Sequence, residues 1–142
     1  MPAFDTAILW PAVAMAALTF VVWCRLYYVR IGTMMRERIP AQAVASSAQS
    51  AARLTDTRAS DNFSNLFELP VLFYLALCVA ALSGVTDGLA LALAWAFVGL
   101  RALHSVIHCS YNRVMHRFAT YILGAFVLWA LWVHLAVGLM GS

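Results

Sequence analysis

The chain has 142 residues, of which 64% are hydrophobic and only 11% charged. An ordinary soluble domain is about 25% charged, so a water-soluble enzyme or scaffold is excluded. The net charge of +3 is carried on the basic side wholly by arginine, and arginine clusters beside membrane spans point to lipid head groups as partners rather than to nucleic acid.

A helix needs about 20 mainly apolar residues to cross the hydrocarbon core. The sequence predicts four such spans, over residues 6–29, 60–85, 88–110 and 117–140. The expected fold class is therefore all-α: a polytopic integral membrane protein forming a single four-transmembrane-helix bundle over 1–142. The first span does not read as a cleaved signal peptide. Its first charge is Asp5, and it ends in Val22-Trp23-Cys24-Arg25, with bulky residues where a cleavage site needs small ones. The connection 30–59 is small and polar from Pro40 to Ala52, with no hydrophobic stripe, and predicts a mobile or partly helical loop. Pro11 and Pro70 fall within spans, where kinks are common. The second helix is expected to start near Arg58 and bend as it enters lipid.

Arginines 25, 30, 36, 38, 53 and 58 lie in or beside the first connection, and Arg113 and Arg117 in the third. The second connection carries only Asp87. Basic residues in short loops mark the cytoplasmic side, so loops 30–59 and 110–117 are expected inside and both termini non-cytoplasmic. Cys24, Cys78 and Cys109 are odd in number and sit in or beside spans. They read as apolar packing rather than disulfides.

Two polar stripes are expected near the cytoplasmic ends. At about 100° per residue, Arg58, Asp61, Asn62, Asn65 and Glu68 share an arc of about 120° on helix two. Arg101, His104, Ser105, His108 and Asn112 share a face of helix three, and Arg113, His116 and Arg117 follow in the third connection. Buried charges face protein or a watery cavity rather than lipid. Pairing between helices is one use for them. Yet Arg58, Arg101, Arg113 and Arg117 face only Asp61 and Glu68, and an excess of fixed positive charge favours an anionic guest. His104 and His108 stand i, i+4 as in many zinc sites, but the surrounding arginines would repel a cation, so no metal is expected.

The pattern as a whole resembles the MAPEG family, membrane-associated proteins in eicosanoid and glutathione metabolism. Family members carry Arg, Asn four residues on, Glu three later and then Pro. Arg58 and Asn62 match, Asn65 stands at the Glu position with Glu68 one turn further, and the proline is displaced to Pro70. Arg101, His104, Arg113 and Arg117 match the spacing of prostaglandin E synthase-like members, with His108 in place of a tyrosine, and Arg36 and Arg38 resemble a basic pair in that subgroup. The resemblance implies a homotrimer with glutathione as cosubstrate between neighbouring subunits, in the cytoplasmic half. It implies that Arg36, Arg38, Arg58, Asn62, Asn65, Glu68, Arg101, His104 and His108 hold the tripeptide. Arg117, with Arg113 second, would stabilise the thiolate that attacks a lipophilic small molecule from the bilayer. The rival expectation is a non-catalytic trimer of the same kind that binds lipid or serves as accessory subunit of a larger membrane complex. The inverted halves and broken helix pairs of transporters are not evident.

Overall fold

In a computed structural model, residues 6–141 are described; the Asp5 charge used above lies outside them. After a 3₁₀ turn at Thr6–Leu9, the described chain forms α1 Trp10–Arg36, α2 Ser47–Arg53, α3 Arg58–Asn65, α4 Leu69–Ser83, α5 Gly88–Cys109 and α6 Val114–Met140. Four stretches are long and apolar enough to cross a membrane: Thr6–Arg36, Arg58–Ser83, Gly88–Cys109 and Val114–Met140.

The two span prolines do not sit in helix interiors. Pro11 and Pro70 each occupy the first turn of a helix, α1 and α4, where a missing N–H costs nothing. The bend in the second span is a break. The chain leaves α3 after Asn65, passes Leu66 to Glu68 outside the α-helix, and restarts at Leu69. α1 continues to Arg36, past the expected end at 29, and stops where Arg38 takes a left-handed φ of 53° and Pro40 follows. The connection beyond it contains α2, opened by a capping box in which Ser46 and Gln49 satisfy each other's backbone N–H. Arg30 Nη2 draws this segment onto α1 by donating to the Val44 carbonyl at 3.3 Å and to Ser50 Oγ at 2.9 Å.

At the opposite end, α4 stops at Gly84 with φ 75°, a left-handed C-terminal position that glycine occupies without strain. Asp87 caps α5, accepting from the N–H groups of Leu89 and Ala90 at 2.9 and 3.1 Å. The Ala90 N–H first, and His134 after it, hold the Asp87 carboxyl below its ordinary pKa. His134 Nε2 stands 2.7 Å from Asp87 Oδ2 and ties the last turns of α6 to the start of α5.

The core lies between these ends. Phe73 stacks on Phe97 at 4.5 Å, surrounded by buried Met15, Leu77, Leu128, Leu131 and Leu135. The buried alanines Ala76, Ala80, Ala90 and Ala94 let the helices approach closely, as membrane interfaces require. Outward faces carry exposed Phe20, Leu82, Trp95 and Phe126, as expected against lipid. One contact is near its limit: a Cβ on Gly138 would stand 2.8 and 2.9 Å from the two methyls of Val85. Gly138→Leu is therefore expected to cost about 1–3 kcal/mol through overpacking, seen as a lower thermal midpoint in detergent. Val85→Ala should recover part of the loss, and an unchanged midpoint in Gly138→Leu would remove the close approach.

Candidate functional site

The polar residues gather at the end of the bundle where α1 finishes, α3 begins, α5 ends and α6 starts. The α5 face carries Arg101, His104, Ser105 and His108 inward, and all are buried, with Arg101 at 0%, His104 at 2% and His108 at 1% exposure. From α3, buried Asn62 accepts from Ser105 Oγ at 3.2 Å and donates to Cys109 Sγ at 3.4 Å. Thus Cys109, on the flank of the histidine face, contacts α3.

α6 supplies the other wall. Arg117 and His116 lie in the first turn of this helix, which begins at Val114 rather than near 117. Asn112, expected on the helix-three stripe, falls beyond the end of α5 with a left-handed φ of 49°. That turn swings its side chain to Arg117, whose Nη1 donates to Asn112 Oδ1 at 2.9 Å and lies 2.8 Å from His108 Nε2. The backbone of Arg117 is held as well. Its carbonyl accepts from Thr120 Oγ1 at 2.9 Å and lies 3.0 Å from His104 Nδ1.

Arg101 Nη2 donates to the Asn65 carbonyl at 2.7 Å, exposed by the break between α3 and α4. Its guanidinium also lies 5.6 Å from the centre of the Tyr121 ring. Glu68 sits in that break rather than on the Arg58 stripe, and accepts from the Tyr121 hydroxyl at 3.3 Å. The ion pairs of the described residues join Arg36 to Glu37, Arg58 to Asp56 and His134 to Asp87, leaving Arg101 and Arg117 without a carboxylate. Four buried nitrogens of the cluster, Arg101 Nε and Nη1, His104 Nε2 and His108 Nδ1, lack a hydrogen-bond partner. Three of them are donors, since His108 Nε2 accepts from Arg117 and leaves Nδ1 the hydrogen, whereas His104 Nδ1 donates to the Arg117 carbonyl and leaves Nε2 an acceptor. Buried polar atoms are nearly always paired, so this set suits an anionic, acceptor-rich guest that also brings a donor.

The other expected residues are placed differently. Arg58 is engaged by Asp56, with Nε and Nη2 each 2.8 Å from a carboxylate oxygen, and its Nη1 donates to the Ser110 carbonyl at 2.7 Å. Arg25 Nη2 reaches the neighbouring Cys109 carbonyl at 2.6 Å. Two arginines thus satisfy the C-terminal carbonyls of α5, where cations are favoured. Arg36 is exposed beside Glu37 and lines a shallow hollow with Tyr28, Gly32 and Thr55. Arg38 and Arg113 are exposed. None of these three contacts the buried cluster within one chain. Tyr121, Thr120 and Arg25 were missed by sequence reasoning. Tyr121 stands four residues after Arg117, one turn along the same face, which was the available signal.

The Arg58 side chain, through its hydrogen bond, holds the Asp56 carboxyl below its ordinary value of 3.8. A depressed folded pKa stabilises above the unfolded value and is lost as pH falls through the folded one. Wild type should therefore lose stability on acidification below about pH 3.8 more steeply than Asp56→Asn does, measured as thermal midpoint against pH. Parallel curves would mean that the pair contributes nothing.

A four-span helical bundle that concentrates buried polar groups and arginines at one end defines a class of membrane protein rather than a soluble fold with an anchor. The MAPEG family model matches residues 8–137, and the chain belongs to the MAPEG family. No curated protein and no solved structure matches it.

Proposed function

We propose that this protein binds glutathione at the buried cationic cluster and uses it to conjugate or reduce a lipophilic substrate from the bilayer. The observation that carries the reading is the set of unpartnered buried nitrogens on Arg101, His104 and His108, beside an Arg117 that has no carboxylate. Glutathione carries two carboxylates and a thiol. Arg101 would take a carboxylate, His108 Nδ1 would donate to one of its acceptors, and His104 Nε2, whose ring has given its hydrogen to the Arg117 carbonyl, would accept from an N–H of the peptide. A free thiol of pKa about 8.5 is mostly protonated at neutral pH, and an adjacent cation raises the thiolate fraction. Arg117, held by Asn112 and His108, would do this. Glu68, with Tyr121, is available for the amino group that the family's glutamate would meet. Exposed Arg36, Arg38 and Arg113 would contribute from a neighbouring subunit of a homotrimer, with this end of the bundle facing the cytoplasm.

A second reading is a non-catalytic MAPEG protein that binds lipid or joins a larger complex. It is favoured by Arg58, whose guanidinium is already committed to Asp56 and Ser110, and by Asn65 at the family's glutamate position. Calorimetric titration of the detergent-purified protein with glutathione separates the two. Saturable binding that is lost in Arg101→Gln supports the first reading, and no heat of binding to a folded protein supports the second.

A further inference from the structure

A polar cavity lies on the side of α3 away from the arginine cluster. Ser60 and Ser64 point roughly 160° away from Asn62, which faces the arginine cluster. Together with the end of α1 and the α2 segment they enclose a space of about 440 Å³, within the range of about 300–1,000 Å³ typical of small-molecule sites.

The hydrogen bonds of its walls decide what it can hold. Ser50 Oγ donates to the Val44 carbonyl at 3.0 Å, and Thr57 Oγ1 to Asp61 Oδ2 at 2.8 Å. Ser60 Oγ donates to the Thr57 carbonyl at 2.8 Å, and Ser64 Oγ to the Ser60 carbonyl at 3.1 Å. A hydroxyl has one hydrogen. Each of these has spent it locally and offers the cavity only lone pairs. Asp61 adds a carboxylate with no ion-pair partner among the described residues, since Arg58 is taken by Asp56. Ser46, whose oxygen accepts from Gln49, and Ser47 keep hydroxyl hydrogens on the α2 side beside Arg30, while the α3 side is rich in acceptors around a negative charge and suits a guest with N–H donors and a positive charge. The one cation of the lining is Arg30, held on the wall formed by Val44 and Ser50. Leu26 and Val29 of the membrane-spanning α1 complete the lining on their side.

We propose that this cavity recognises a primary-amine zwitterion, the ethanolamine phosphate head group, drawn from phospholipid of the adjoining leaflet. The ammonium would donate to Asp61 and the serine and threonine oxygens, the phosphate would meet Arg30, and the apolar stem would follow Leu26 and Val29. A choline head group has the same charges but no N–H to donate, so it cannot satisfy the acceptors. A glycerol head group has no positive charge for Asp61. Nothing in this proposal depends on glutathione.

The test is the thermal midpoint of the full-length protein in detergent, titrated with short-chain phosphatidylethanolamine, phosphatidylcholine and phosphatidylglycerol and with free phosphoethanolamine. Phosphatidylethanolamine should stabilise wild type with an apparent affinity at least roughly tenfold above that of phosphatidylcholine, the scale of a charge-assisted hydrogen bond. Asp61→Asn should abolish that preference. Ala51→Trp, which fills the cavity from an exposed position on α2, should abolish it without lowering the midpoint in detergent alone. Should Asp61→Asn not fold, the tryptophan variant carries the test. Equal protection by the ethanolamine and choline lipids overturns the proposal, as does an undiminished preference in folded Ala51→Trp. Protection by free phosphoethanolamine without protection by the lipid overturns the leaflet as source and keeps the amine site.

Discussion

Arg117→Ala is expected to weaken turnover far more than glutathione binding. In the folded protein this guanidinium is anchored by the Asn112 carboxamide and His108 Nε2, and it forms no ion pair with a carboxylate of the described residues. A cation oriented in this way acts on charge that appears when the thiol ionises. Removing it should raise the pKa of the bound thiol by about one to two units, and so reduce the thiolate at neutral pH by roughly ten- to a hundredfold. Ultraviolet difference spectra of the thiolate across a pH series measure this directly, with kcat towards a model electrophile as the second readout. Arg117→Lys should recover part of the shift, because the charge survives while the guanidinium Nη1 that meets both Asn112 and His108 does not. His108→Ala and Asn112→Ala should each move the thiol pKa in the same direction by less, since they aim the guanidinium without replacing it. An unchanged thiol pKa in Arg117→Ala, with affinity reduced instead, would make Arg117 a carboxylate clamp and leave the thiolate without the cation proposed for it.

How much of this was legible in the sequence depends on the range over which each feature is decided. The spans were legible because hydropathy accumulates over some twenty residues, and the Arg101–His104–His108 face because 3.6-residue periodicity holds within an unbroken helix. Features decided by chain reversal were not. Asn112 was counted on the helix-three stripe, but α5 ends at Cys109 and a left-handed residue carries Asn112 to Arg117 instead. Glu68 was counted on the Arg58 stripe, but the break before Pro70 resets the helical phase between them. The resemblance implies that Arg58 holds the tripeptide, but the carboxylate it meets is Asp56, two residues away in a non-helical segment that periodicity does not describe. Arg25 and Tyr121 act across helices, where one sequence holds no pairing information.

Arg101→Met should stabilise the protein in the absence of ligand and abolish glutathione binding. Arg101 is among the largest fully buried side chains, and among the described residues it meets no carboxylate within ion-pair distance and its Nε and Nη1 have no partner. Its one hydrogen bond, to the Asn65 carbonyl, cannot satisfy a guanidinium with five N–H donors. A buried polar group left unsatisfied costs about 1–3 kcal/mol, and methionine fills an irregular apolar space of similar length without that cost. The thermal midpoint of Arg101→Met in ligand-free detergent should therefore rise by at least about 3 °C. In wild type, glutathione should raise the midpoint by mass action, and in Arg101→Met that ligand-dependent rise should vanish. The two halves of the result test different things. A higher midpoint with no response to glutathione identifies Arg101 as a charge kept for a guest at the expense of the fold. A lower midpoint would mean that the Asn65 bond and the Tyr121 contact hold α3 and α6 against α5 more strongly than desolvation opposes them. Arg101 would then be a structural strut, and His108 Nδ1 would be the one unpartnered buried donor of the cluster left for an anionic ligand.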